Sequence, residues 1–105
     1  MVEVVVVTDP LQGGTLERWS RVLSAAADRG PHRLVVDLAA CPRLDAAAIG
    51  MLLGLHRRML GAGGGLLLRT PPDTVRRMLA LARVAGVLAV EGDPGQPGLA
   101  VAGAR

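Results

Sequence analysis

Short apolar runs alternate with segments of helical periodicity along this chain, and that alternation constrains the fold more than any other feature. The runs are residues 4–7, 33–38, 66–68 and 87–90, rich in Val and Leu. Runs of this kind, bounded by Gly, Pro or polar residues, are typical of buried strands. Strands joined by helical crossovers predict an α/β domain with a mostly parallel four-stranded sheet, in the order β-α-β-α-β-α-β.

Three amphipathic helices are predicted between these strands. The first runs from an N-cap at Thr15 to about Asp28, and the second from Ala46 to about Leu60 behind Asp45, whose carboxylate suits a cap. The third follows the turn at residues 70–73. Helical spacing places these residues inward: Leu16, Trp19, Leu23 and Ala26 or Ala27, then Ile49, Leu52, Leu53, His56 and Leu60, then Val75, Met78, Leu79 and Ala82.

The length of 105 residues suits one domain, which we expect over residues 1–92, followed by a Gly/Pro-rich C-terminal tail over 93–105. Half of the residues are apolar, so a core forms without metal or disulfide support. No secretory leader and no run of about 20 apolar residues is present. With a single cysteine, Cys41, these features predict a soluble cytoplasmic protein.

Charge and aromatic content argue against nucleic acid as a partner. The net charge is +3, every basic residue is Arg, and the arginines are scattered along the chain. Trp19 is the only aromatic residue, so no platform for stacking bases is available. We expect the arginines to be solvated on helix surfaces.

Candidates for chemistry are few. His32 and His56 have no second His or Cys at ligand spacing, so no metal site is predicted. The glycines of residues 61–65 follow a helix and precede a strand, which is the reverse of a phosphate-binding loop. Cys41 has only Arg43 nearby to activate it and is expected to be an inert core residue. We therefore predict no catalytic residues, no metal and no cofactor.

Several sequence elements in order resemble the STAS domain family, the anti-sigma-factor antagonists. A Leu-Val-Val-Asp-Leu strand ends at Leu38, and Asp45 follows seven residues later. The next residues, Ala46-Ala47-Ala48-Ile49-Gly50-Met51-Leu52-Leu53, stand where family members typically have Ser-Ser-Gly-Leu-Gly-Val-Leu-Leu. The resemblance also includes Gly63-Gly64 before the third strand. It extends through the segment from Pro71 to Leu79, which contains Val-Arg-Arg-Met-Leu.

The resemblance implies a bacterial regulator of transcription that works by partner switching. Such domains bind an anti-sigma kinase, which phosphorylates a serine at the start of the second helix and so breaks the complex. That serine aligns with Ala47, a degenerate phosphorylation site that accepts no phosphate. The implied partner-binding residues are Asp45, Ala46, Ala47, Ala48, Ile49 and Met51, flanked by Arg57 and Arg58.

Other functions stay open at this stage. The chain is alternatively an accessory STAS subunit that docks on the ATPase of a lipid-transport ABC complex, a small-molecule sensor, or a degenerate relative that binds nothing. Phosphorylation at Thr15, Ser20, Ser24, Thr70 or Thr74 would supply another switch. The family normally has one more strand before residues 4–7, so an open sheet edge and a homodimer formed through it are also expected.

Overall fold

Four parallel strands form one sheet whose spatial order, β1-β2-β3-β4, follows the order of the chain. The computed structural model describes residues 1–91, with strands β1 (Val2–Val6), β2 (Arg33–Asp37), β3 (Gly65–Arg69) and β4 (Ala89–Val90). The helices are α1 (Leu16–Asp28), α2 (Ala46–Gly61) and α3 (Asp73–Leu81). The predicted β-α-β-α-β-α-β fold is confirmed. The predicted tail at 93–105 lies outside the described residues, and the domain boundary at 92 stays a prediction.

The three helices pack on one face of the sheet. Right-handed crossovers that always step in the same direction along a sheet place every helix on the same side. On that side, side chains in register across the strands (Val5, Val36, Leu68 and Val90) join one hydrophobic core. The helices contribute these buried residues to it: Leu23, Ala26, Ala48, Ile49, Leu52, Leu55, Met59, Val75 and Leu79.

Strand β1 differs from the predicted fully buried run. It begins at Val2, and its side chains alternate: Val5 and Val7 are buried, whereas Val2, Val4 and Val6 are exposed. Alternation is the expected result when only one face of a strand packs against helices. A run of valines carries no polar residue to indicate which face is buried, so the sequence pattern suggested burial on both.

Helix α2 has the predicted span but a different rotation about its axis. Leu55 and Met59 are buried in place of His56, which is half-buried, and Leu60, which is 57% exposed. Apolar residues occupy most positions from Leu52 to Leu60, so the 3.6-residue period fits more than one inward face. The position of β3, which packs against α2, decides between them.

The segment after α3 forms a turn where strand was predicted. The backbone N–H groups of Val87 and Leu88 donate to the Val84 carbonyl at 2.9 and 2.8 Å, so β4 contains only Ala89 and Val90. Ala82, predicted inward, is exposed, and Val84 and Leu88 are buried. Because these two N–H groups are hydrogen-bonded within the local turn, they do not pair with β3.

Thr15 stands at the start of α1 without capping it through its side chain. Its hydroxyl donates to the Gln12 carbonyl oxygen at 2.9 Å, within a 3-10 turn at Gly13–Thr15. The predicted helix start is therefore correct in position and wrong in mechanism. At the other end, Gly30 adopts φ +73°, the left-handed conformation that favours glycine after a helix.

Candidate partner-binding surface

Asp45 caps the second helix as predicted. Its backbone is extended (φ −109°, ψ −179°), and its carboxylate accepts a hydrogen bond from the Ala48 N–H at 2.9 Å. The Asp45 N–H donates to the Leu11 carbonyl at 3.2 Å, and the Leu11 N–H donates to the Arg43 carbonyl at 3.0 Å. The start of α2 is thereby held by its own cap and by the segment that follows β1.

The predicted partner-binding residues divide into two groups in the structure. Ala46 and Ala47 are exposed at the first turn of α2, and Met51 is half-buried one turn later. Ala48 and Ile49 are buried in the core, with exposed fractions of 0% and 6%. Only the first group presents side chains to solvent at this surface, while Ala48 and Ile49 hold the helix against the sheet.

The outer surface of α2 is continuous and has low relief. At 100° per residue, its exposed and half-exposed positions fall on one side of the helix, opposite the buried stripe. This surface, called the docking face below, consists of Ala46, Ala47, Gly50, Met51, Gly54, Arg57 and Arg58. Gly50 and Gly54 were not among the predicted site residues, although their spacing from Ala47 (i+3 and i+7) is visible in the sequence.

A groove between α1 and α2 borders the docking face. Its volume is about 240 Å³, and it is lined by Ser20, Leu23 and Ser24 from α1 and by Met51, Gly54, Leu55 and Arg58 from α2. Gly54 of α2 leaves open space in the groove, because a Cβ added there would have no neighbour within 4 Å, and the same holds at Gly50 on the adjoining surface. The groove therefore exists because side chains are small where the two helices meet.

The two arginines of α2, Arg57 and Arg58, differ in their partners. Arg58 forms an ion pair with Asp28 and a hydrogen bond of 3.4 Å to the Ser24 carbonyl, which ties α2 to α1. Arg57 is exposed and makes no ion pair within residues 1–91. Arg58 thus has a structural role, whereas Arg57 has no ion-pair partner among the described residues.

Reactive side chains do not gather at this surface. Within the described part of the chain, no three His, Cys, Asp or Glu residues lie close enough to hold a metal ion. His32 is exposed and His56 is half-buried on α2. Cys41 is buried, and that burial raises the pKa of its thiol, which donates to the Arg43 carbonyl at 3.4 Å.

Asp37 and Arg69 form a charged pair at the carboxyl ends of β2 and β3. The Asp37 carboxylate accepts hydrogen bonds from the Ala39 N–H at 2.9 Å and from Arg69 at 2.8 Å. Both interactions stabilise the ionised form and lower the pKa of Asp37, the Ala39 N–H most of all. The pair stabilises the strand ends and lies on the face of the sheet opposite the helices.

The four-stranded parallel sheet with its three helices on one face defines a small α/β domain, and the exposed first turn of α2 is its candidate binding surface. The chain belongs to the STAS domain family, because its residues 4–91 match the family model described as "Mlab, STAS domain". No curated protein matches the chain. Within residues 1–91, no helix combines the length and apolar character needed to cross a bilayer.

Solved structures with the same fold include anti-sigma factor antagonists. A Thermotoga maritima protein described as a candidate anti-sigma factor antagonist superposes with a TM-score of 0.77 at 16% identity, covering 94% of this chain and 87% of that one. The antagonist SpoIIAA, in its unphosphorylated form, gives 0.69 at 19% identity, with 96% and 90% coverage. At these identities the likeness shows the fold. The family model and the solved structures therefore agree on the STAS fold.

Proposed function

We propose that this chain is a non-enzymatic antagonist that binds an anti-sigma kinase, or a related signalling protein, through the docking face of α2. The observation that supports this most is the exposed first turn of a capped helix, with Ala46 and Ala47 directed to solvent. This turn is where the resemblance to anti-sigma-factor antagonists implies partner contact. We also propose that the chain is cytoplasmic.

The same turn lacks a phosphate acceptor. Alanine at positions 46 and 47 has no hydroxyl group, so the phosphorylation implied for the family has no site here. Alanine is close in size to unmodified serine and favours helix. We infer that the docking face keeps a binding-competent shape permanently, and that binding is controlled by the amount of protein or by the partner.

Side-chain size at the docking face favours contact with a helix or strand of the partner. Ala47, Gly50 and Gly54 present almost no side chain, so a partner's backbone can approach α2 closely. Met51 is flexible and adapts to an apolar neighbour in the groove. Arg57, which forms no ion pair within residues 1–91, adds a positive charge at the far end that fits an acidic group on the partner.

A second function uses the same surface. The missing hydroxyls at positions 46 and 47 equally favour an accessory STAS subunit that docks on the ATPase of a lipid-transport ABC complex. A permanently bound subunit needs no phospho-switch. The two functions differ in the partner, and an experiment with defined partners distinguishes them.

Binding to purified partners tests the proposal. The chain is immobilised and presented with the anti-sigma kinases of its source cell and, separately, with the ATPase subunits of its lipid importers. We expect a kinase to bind, and Ala47→Asp to weaken binding by about tenfold or more, because an unpaired carboxylate would be desolvated at the contact. An acidic residue in the first turn of a helix is favourable, so this variant should fold.

Ala25→Asp is the matched control, since Ala25 is exposed on α1 and is not part of the groove lining. It should bind like the wild type. Ala47→Ser adds the missing hydroxyl, and a kinase partner should phosphorylate it in the presence of ATP. Binding to the transporter ATPase alone would favour the second function, and binding to neither partner would contradict both.

A further inference from the structure

Strand β1 forms one edge of the sheet, and its outer side is unpaired within residues 1–91. It pairs only with β2, in parallel. The Val7 N–H donates to the Asp37 carbonyl at 3.0 Å, so the odd-numbered residues of β1 direct their backbone groups to β2. Backbone groups of successive residues in a strand point to opposite sides. The N–H and C=O groups directed away from the sheet are therefore those of Val2, Val4 and Val6.

The outer edge of β1 carries none of the features that usually keep an edge strand from pairing. Such strands are commonly protected by a charged side chain, a proline, a bulge or a very short length. The outward residues of β1 are valines that are 43–53% exposed on the face of the sheet opposite the helices. Its one charged residue, Glu3, lies on the helix face, where Arg29 donates to its carboxylate at 2.7 Å. At the other edge, β4 contains only two residues.

The sequence of β1 is complementary to itself when two copies run antiparallel and are centred on Val4. In this register Val2 lies opposite Val6 of the second copy, and all the outward N–H and C=O groups find partners. Glu3 lies opposite Val5, so the two carboxylates do not meet. A register centred on Glu3 would place like charges directly opposite each other, which is destabilising. A register centred on Val5 would leave Val2 without a partner in the strand.

A twofold axis perpendicular to the sheet relates the two copies in this register. It reverses the direction of the strand and keeps the helices of both copies on one face, so the two sheets join into a sheet of eight strands. The exposed valines of both copies then form one apolar row. On the helix face, Val22 of α1 is 40% exposed, on the stripe of the helix that ends at Arg29, the partner of Glu3 in β1. Val22 therefore adds an apolar side chain on the β1 side of α1.

We propose that two copies of this chain pair through the outer edges of β1 and form a twofold antiparallel dimer. Any strand offers hydrogen bonds to this edge, but a second copy also brings a matching row of valines and a second α1 on the same face. The proposal goes beyond the proposed function. Because α1 lies between β1 and α2, the docking face stays open in the dimer.

The size of the contact predicts a weak and reversible dimer. Five residues of β1 extend about 17 Å, and a helix packed on a sheet is about 20 Å thick, so the contact covers roughly 350 Å² per copy. Each partner in a stable interface buries ~800 Å². We therefore expect the dimer to form at high protein concentration and to dissociate on dilution.

Sedimentation equilibrium of the full chain tests the proposal. Between low micromolar and millimolar concentration, the average mass should rise from 10.8 kDa towards twice that value. Val4→Lys should weaken self-association by about tenfold or more, because two lysines would lie opposite each other at the twofold axis. Val87→Lys is the matched control, since Val87 is exposed in the turn before β4, and it should self-associate like the wild type. A monomer at millimolar concentration, or a Val4→Lys dimer as strong as that of the wild type, would overturn the proposal.

Opposite charges at position 4 test the register separately from any effect on folding. Val4→Glu alone should be as monomeric as Val4→Lys. An equimolar mixture of the two variants should form a heterodimer, because unlike charges then lie opposite each other. A mixture that associates no more strongly than the single variants would contradict the register centred on Val4.

Isotope-filtered nuclear magnetic resonance on the unsubstituted chain gives a readout that needs no variant. In a concentrated mixture of labelled and unlabelled chains, we expect a nuclear Overhauser contact between the Hα atoms of Glu3 and Val5 of different copies. These residues form a pair without hydrogen bonds, with about 4.5 Å between their Cα atoms. Absence of the contact would overturn the proposal. Partner binding through α2 should be unchanged in Val4→Lys, so failure here is distinct from failure of the proposed function.

Discussion

The Asp45 carboxylate accepts a hydrogen bond of 2.9 Å from the Ala48 N–H, which joins the last residue before α2 to its first turn. Ala48 is fully buried, so this bond also fixes the point at which α2 enters the core. Two residues of the docking face, Ala46 and Ala47, lie between the bonded pair. This cap and the Asp45–Leu11 backbone hydrogen bond together hold the geometry of the proposed binding surface.

Removing the cap should destabilise the domain. Asp45→Ala leaves the first-turn amides without an acceptor and should lower the free energy of unfolding by about 1 kcal/mol. Asp45→Asn is the control, because asparagine caps about as well as aspartate. Urea denaturation measures both. An Asp45→Ala midpoint equal to that of the wild type would show that the cap contributes nothing.

Substitution of Gly54 on α2 by alanine should change stability and partner binding in opposite directions. Glycine inside a helix costs roughly 0.5–1 kcal/mol relative to alanine, and an added Cβ at Gly54 meets no atom within 4 Å. Gly54→Ala should therefore raise the denaturation midpoint. It should also weaken partner binding, because the new methyl enters the groove beside Met51. Binding at wild-type strength in this stabilised variant would show that Gly54 does not take part in the contact with the partner.

Acid stability should depend on Asp37. Its pKa is lower in the folded chain than in the unfolded chain, so it stabilises the fold at pH values above the ordinary carboxyl pKa of about 3.9. That stabilisation is lost as pH falls through the lowered value. Asp37→Asn should be less stable than the wild type at neutral pH, and the difference should shrink on acidification.

Arg69→Gln gives an internal comparison for Asp37. It removes the second interaction and keeps the hydrogen bond from the Ala39 N–H, which lowers the pKa of Asp37 most. Its effect should therefore be intermediate. Denaturation midpoints measured across an acid pH series report both variants. A constant difference between wild type and Asp37→Asn at every pH would contradict the assigned cause.

Cys41 should be unreactive in the folded chain. Its side chain is fully buried, and burial raises the pKa of the thiol, so little thiolate is present to react. Modification by iodoacetamide should be much slower in native protein than in urea. The matched control moves the thiol by one residue, in the double variant Ala40→Cys, Cys41→Ala, because Ala40 is exposed. Equal rates for the native wild type and this variant would contradict the prediction.

Local features of the proposed site were predictable from the sequence. Asp45 precedes a helix-forming segment, and a capping bond needs only residues three positions apart. The exposed alanines at 46 and 47 follow from the same helix start. The groove was not predictable, because it requires Ser20 and Ser24 of α1 to lie beside Gly54, and this distance depends on how two helices pack on the sheet.

The sequence by itself determined the order of strands and helices, the single domain and the capped start of α2, because each follows from hydrophobic periodicity or from contacts within one turn. Tertiary structure alone decided that Met59 is buried and Leu60 exposed, and that Val5 is buried while Val4 and Val6 are open. A helix or strand made mostly of apolar residues fits several orientations. Residues distant in the sequence select one of these orientations, because their packing determines which side chains are removed from water.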